Sequence, residues 1–240
     1  MTIELGLPFR APLQPDSLFG HLAATAVPGV EEWRAGSYRR TLRLPHGPAV
    51  IALTPPGPGG TEIACRLDLA DPRDRDAAVA RCRFLLDLDA DPVAIDAALA
   101  ADPVLRPWVA AAPGRRMPRC VDPHELALRT VLGQQVSTAA ARTHAARLVS
   151  AHGEPVDDTG GGLTHLFPTA RRLAGIDPDS LALPHARRRT FVGLAAALAD
   201  GRVTLAGTEA TRAELAALPG IGPRTWPPPG TTPCAPTAPR

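Results

Sequence analysis

The segment Glu62–Leu69 (EIACRLDL) alternates apolar and polar side chains without a break, so Ile63, Cys65, Leu67 and Leu69 share one face of an extended chain. A strand with one apolar face requires hydrogen-bonding partners on its edges and a second layer over that face. Candidate partners lie just upstream: residues 38–44 (YRRTLRL) alternate more loosely, and 49–54 form a short apolar run. The joint Pro55-Pro56-Gly57-Pro58-Gly59-Gly60 can continue neither helix nor ladder, so three antiparallel strands separated by turns are expected. The covering layer is predicted over 16–26, where Leu18, Phe19, Leu22, Ala23 and Ala26 recur at the spacing of one helix face.

Beyond residue 70 the period changes from two to that of a helix. Residues 72–88 place Ala77, Ala80, Phe84, Leu85 and Leu88 on one stripe, with Asp71 and Pro72 as cap and first-turn residues, and a further helix is expected from Pro92. The stretch 111–121 (AAPGRRMPRCV) breaks the periodicity and marks a boundary, giving a first domain over 1–115. Asp122-Pro123-His124-Glu125 then opens a helix to Leu132, with Asp as N-cap, Pro in the first turn and Glu three residues after the cap. Gly133-Gln134-Gln135-Val136-Ser137 interrupts it, and 138–151 resume with Ala141, Ala145, Leu148 and Val149 as an apolar stripe. A flexible loop is expected over 154–163, followed by helices near 169–175, 185–200 (Phe191, Leu194 and Leu198 inward) and 209–217. The fold class is α+β: a small antiparallel sheet-and-helix domain, then a wholly helical one over 116–225.

Composition narrows the chemistry. With 45% hydrophobic and 21% charged residues over 240 positions, the chain has globular character, and its formal charge of +2 announces no large basic field. No apolar run approaches the roughly 20 residues of a membrane helix, and the N-terminus carries no export signal, so a cytoplasmic protein without a membrane partner is expected. All 26 basic residues are arginine, for the sequence contains neither Lys nor Asn. The four cysteines form no CxxC pair and are read as reduced, incidental thiols, and the seven histidines are scattered, so no side-chain metal site is expected.

Leu218-Pro219-Gly220-Ile221-Gly222-Pro223 reads as a hairpin leaving one helix, with two glycines flanking an apolar residue. Glycine tolerates positive φ and close approach, and exposed amides at such a turn can cradle a phosphate oxygen. This is a helix-hairpin-helix signature. Together with LPFRAPL and SYRRTLRL near the N-terminus, HELALRTVLGQQVSTAAARTHAARLV and FPTARRLAGI, it resembles the helix-hairpin-helix DNA glycosylases of base-excision repair, and among them the DNA-3-methyladenine glycosylase II (AlkA) type, over about residues 3–225.

The resemblance implies a first domain similar to a TATA-binding-protein repeat, beside a helical domain across whose hairpin double-stranded DNA lies. A damaged base would be flipped out of the stack, and an alkylated, cationic base would be preferred by an aromatic pocket. The resemblance places a wedge side chain at Gln135, next to Gln134. It also places phosphate-directed amides at Leu218, Gly220 and Gly222 around Ile221, and a monovalent cation on the carbonyls of 218–221, with no other cofactor. A monomer is expected. Without the resemblance, Gln134 and Gln135 are polar residues in a helix break and the hairpin is an ordinary turn. The pocket positions depart from the family: Arg224 stands where Trp is common, and His21 where an aromatic can occur. An arginine there would repel a cationic base.

The larger departure follows the hairpin, where the family continues into a long helix and its catalytic Asp. Here residues 226–240 carry six prolines in fifteen positions, and no Asp or Glu follows Glu214. The expectation is a frameshifted or truncated glycosylase with a disordered Pro-rich tail, no catalytic residue and no base release, with apolar faces left open around Phe191 and Leu215. A lyase working through a lysine Schiff base is excluded by the absence of Lys. The alternatives are a non-catalytic DNA-binding module or an interaction protein.

Overall fold

The structure, a computed structural model, describes residues 1–222; Arg224 and the tail expected over 226–240 lie outside the described residues. The chain divides into two compact units, one of residues 1–26 and 31–121, the other of residues 27–30 and those from 122 onward.

The first unit is built on a five-stranded antiparallel sheet in the order β1-β5-β4-β3-β2, formed by β1 (Thr2–Pro8), β2 (Glu31–Arg34), β3 (Ser37–Leu44), β4 (Gly47–Thr54) and β5 (Glu62–Leu69). The three expected strands are its centre; β1 and β2 extend it on either side. The register of β5, with Leu67 opposite Ile3 on β1 and Ile51 on β4, buries Ile63, Cys65, Leu67 and Leu69 on one face. Helix α1 (Pro15–Thr25) supplies Leu18, Phe19 and Leu22 to the same core. A 3-10 turn at Pro72–Asp74, capped by the Asp71 carboxylate, leads into α2 (Arg75–Leu85).

Of the apolar stripe predicted over 72–88, Leu85 and Leu88 are buried as expected, but the face α2 turns inward is rotated from Ala80 and Phe84. Ala78, Cys82 and Leu85 are the buried residues, whereas Ala80 is exposed and Phe84 half-buried. The guanidinium of Arg119 lies 4.9 Å from the Phe84 ring centroid, so a cation covers the ring that the core does not take. Cys65 and Cys82 are buried free thiols. The unit ends in α3 (Pro92–Ala100) and a short α4 (Arg106–Ala111), the latter unpredicted.

The second unit holds α5 (Pro123–Gly133), α6 (Thr138–His152), α7 (Ala170–Ala174), α8 (His185–Ala199) and α9 (Glu209–Ala216). It is not wholly helical. Two-residue strands β6 (Glu154–Pro155) and β7 (His165–Leu166) pair across what had been expected as a plain flexible loop. The α5 start is as read: Asp122 Oδ1 accepts from the amides of His124 (2.8 Å) and Glu125 (3.4 Å). Such a cap contributes about 1 kcal/mol.

Helix α8 is the spine of this unit. Phe191, Leu194 and Leu198 are buried on it, in one cluster with Leu128, Val131, Leu148, Val149, Leu173 and Leu215. Phe191 and Leu215, expected to border an uncovered apolar face, are themselves buried, and that expectation is corrected. Val27 and Val30 complete the cluster from far upstream. They are held there by the Gly29 carbonyl, which accepts from the amides of Thr164 (2.8 Å) and His165 (3.0 Å).

Candidate functional site

Helix α9 positions the hairpin. Its N-cap Thr208 accepts from the Thr211 amide (3.3 Å), and the Thr211 hydroxyl donates to the Thr204 carbonyl (2.6 Å). Glu214, the last carboxylate of the sequence, accepts from the amide of that same Thr204 (2.8 Å) and from its hydroxyl (3.3 Å). Its charge is therefore spent on fastening the loop before α9.

The chain then turns. The Leu218 amide donates to the Leu215 carbonyl (3.0 Å) and the Ile221 amide to the Leu218 carbonyl (3.2 Å). Leu218, expected to aim its amide at a phosphate, therefore uses it to close the helix end. Gly220 has φ +82°, a left-handed conformation in which a side chain would be strained. A Cβ there would also collide with the hydroxyl of Thr190 on α8. That hydroxyl lies within hydrogen-bond distance of two carbonyls, Ala186 (3.1 Å) in its own helix and Pro219 (3.2 Å) in the hairpin, so it fastens one to the other.

Ile221 is buried in the helical core, while Gly220 and Gly222 on either side are exposed. The amides of both glycines make no hydrogen bond among the described residues. A buried apolar anchor thus sits between two exposed glycines whose amides have no acceptor among the described residues. Beside them lies a recess of about 530 Å³ between α8 and the hairpin, lined by Arg189, Thr190, Gly193, Leu218, Pro219 and Gly220 among others.

The α5–α6 junction is the second predicted element. Gln134 ends α5 and is half-buried. Gln135 is exposed with φ +56°, an uncommon conformation for a residue bearing a Cβ. Ser137 immediately restarts the chain as N-cap of α6, accepting from the Ala140 amide (3.2 Å). The junction therefore holds one flexible polar side chain out from a left-handed backbone between two capped helices. His21 lies exposed on α1 in the first unit. Arg224 is outside the described residues.

Sequence reasoning missed Thr190 as the hairpin's fastening and Arg189 as a wall of the recess. The signal for the second was present: an Arg-Arg-Arg run at a helix start opposes the helix dipole and calls for an explanation.

Among the described residues no group of three or more His, Cys, Asp or Glu side chains could hold a metal ion, and no helix is long and apolar enough to cross a membrane.

A family model described as the AlkA N-terminal domain matches residues 4–122. Over 227 residues the chain is 57% identical to a protein of Mycobacterium tuberculosis named "Probable bifunctional transcriptional activator/DNA repair enzyme AlkA", covering 93% of this chain and 45% of the relative. It is 33% identical to the DNA-3-methyladenine glycosylase 2 of Escherichia coli, covering 90% of this chain and 76% of the relative. The chain thus spans less than half the length of the first of these relatives.

Solved structures of DNA glycosylases share the fold, two of them as follows. One is the 3-methyladenine DNA-glycosylase from Archaeoglobus fulgidus, with TM-score 0.77, 19% identity, and coverage of 93% of this chain and 76% of that one. The other is the Clostridium acetobutylicum 8-oxoguanine glycosylase/lyase in complex with double-stranded DNA, with TM-score 0.68, 16% identity, and coverage of 94% and 76%.

Proposed function

The chain belongs to the AlkA (DNA-3-methyladenine glycosylase 2) family, and from that premise we propose that its helical unit grips double-stranded DNA in base-excision repair of alkylated bases. The observation that carries this reading is the pair of amides on the exposed Gly220 and Gly222, on either side of the buried Ile221, which have no acceptor among the described residues. An anionic non-bridging phosphate oxygen supplies what two fixed, unsatisfied donors lack, and a backbone grip of this kind positions DNA without reading sequence.

Gln135 then fills the gap left by a flipped base. Its exposure and left-handed backbone favour a side chain that projects away from the helices, and its amide can hydrogen-bond the orphaned partner base. Among the described residues the carbonyls of Leu218 and Pro219 each accept one hydrogen bond, leaving a lone pair on each, so with Gly220 they suit a weakly held monovalent cation. The pocket roles of His21 and Arg224 would decide which alkylated base is accepted, Arg224 disfavouring a cationic one.

Base release requires a carboxylate at the reacting sugar, and Glu214 is occupied by Thr204 with no acidic residue after it. On this reading the expected outcome for the 240-residue chain is DNA binding without base release. Lyase chemistry has no lysine to use, and the terminal amine of Met1 donates to the Leu69 carbonyl at 2.7 Å.

The test combines two measurements on the 240-residue chain. Fluorescence anisotropy with a duplex carrying an abasic-site analogue should show binding that weakens steeply with salt. Chromatography of methylated DNA incubated with the protein should show no free alkylated base. Absence of binding at low salt overturns the DNA reading; released base overturns the claim of inactivity.

A further inference from the structure

We propose that Arg189 is a DNA-phosphate ligand of the helical unit, acting beside the hairpin amides; this deepens the DNA-grip reading above and rests on it. Helix α8 opens with His185, Arg187, Arg188 and Arg189 and has no acidic residue in its first turn. Cations there face the positive end of the helix dipole, so each is disfavoured by its own position.

One of the three arginines is accounted for within the fold. Arg188 pairs with Asp179 at 2.7 Å, and its Nε donates to the Leu183 carbonyl at 2.6 Å. The side chains of Arg187 and Arg189 have no partner among the described residues. Only Arg189 of these two lines the recess beside the hairpin, together with Leu218, Pro219 and Gly220, and no acidic side chain lines it.

The placement of Arg189 is fixed by its neighbour. Thr190 ties α8 to the Pro219 carbonyl, so the residue before it is held in a set relation to Gly220. A five-donor guanidinium and the unsatisfied Gly220 amide therefore share one otherwise largely apolar wall. Neither has an acceptor among the described residues, and a phosphodiester gives both what they lack. Its two non-bridging oxygens suit a guanidinium's parallel donors, and adjacent phosphates along one strand suit two neighbouring donors. The remainder of the wall, Leu218, Pro219 and Gly193, lowers competition from water around that contact.

The experiment measures the salt dependence of binding of the 240-residue chain to a fluorescein-labelled duplex containing an abasic-site analogue, for wild type, Arg189→Ala, Arg189→Lys and Arg187→Ala. Loss of one phosphate contact should weaken binding about tenfold at low salt and make the log–log salt slope shallower by about 0.9 for Arg189→Ala. Arg189→Lys should restore the slope with only part of the affinity, since one ammonium keeps the charge and loses the paired donors. Arg187→Ala should keep the wild-type slope.

Urea midpoints should not fall in Arg189→Ala, because an exposed cation is removed from an unfavourable helix position. An unchanged slope in Arg189→Ala, with wild type binding normally, overturns the role of Arg189 and leaves the hairpin reading standing. Equal losses in Arg187→Ala and Arg189→Ala mean a diffuse positive field and overturn it as well. Absence of wild-type binding overturns both readings together.

Discussion

Gly220 carries two constraints at once, a left-handed backbone and a close approach to the Thr190 hydroxyl. Gly220→Ala should therefore destabilise the protein by at least about 1 kcal/mol, through backbone strain and the collision together, read as a lower urea midpoint. Thr190→Val removes the hydroxyl at similar volume and should cost about 1 kcal/mol by the same measurement. Gln135 separates stability from function. Its left-handed backbone is relieved by glycine at an entropic cost of similar size, so Gln135→Gly should shift stability by less than about 0.5 kcal/mol. It should nevertheless abolish the fluorescence rise of 2-aminopurine placed opposite an abasic analogue, if this side chain is the wedge. His152 has a buried Nδ1 with no partner among the described residues, and burial, then the charge of Arg172, holds its pKa below the ordinary 6.5. The folded state thus takes up the proton less readily than the unfolded chain. Its stability contribution is complete above 6.5 and is lost as pH falls from there through the depressed folded value. Urea midpoints of His152→Gln, compared with wild type across that range, should show a flatter dependence on pH.

At the level of elements, caps and periods were the legible part. Asp122, read as a cap, does cap α5, because a short oxygen-bearing side chain before an apolar-periodic run has one favourable use there, and Ser137 and Thr208, not read as caps, serve α6 and α9 in the same way. Asp122→Ala should lower stability by about 1 kcal/mol in a denaturant titration while leaving the urea dependence of the transition unchanged. The edge strands were less legible. In β1 the alternation of Ile3, Leu5 and Leu7 is short and broken in strength by Gly6. In β2 only four residues pair with β3, across a turn whose central residues Ala35 and Gly36 both have positive φ. That backbone is usual for a two-residue hairpin, but alanine at its first position conceals it from a search for Asn-Gly or Asp-Gly. On α2 the stripe was misassigned because Ala77, Ala80 and Phe84 satisfy helical spacing as well as Ala78 and Cys82 do. Which face turns inward is decided by the sheet beneath, and Arg119 covers Phe84 from outside. The hairpin itself was legible as LPGIGP, but not its fastening, since nothing local ties Thr190 to a carbonyl twenty-nine residues away.

At the scale of the whole molecule, the two units differ in how they are made from the chain. The sheet unit uses one long run interrupted briefly, whereas the helical unit borrows residues 27–30 from within the other. Val27 is 1% and Val30 0% exposed in its core, and the Gly29 carbonyl takes two hydrogen bonds there. On a ribosome this order matters. Residues 27–30 emerge long before Asp122 is translated, so two apolar side chains wait, without their eventual neighbours, through the synthesis of the whole sheet unit. A segment made early thus finds its packing partners only after Asp122 and the residues beyond it have emerged. A recombinant fragment starting at Asp122 would accordingly leave the ribosome without that insert, its core missing Val27 and Val30 and the amides of Thr164 and His165 missing the Gly29 carbonyl.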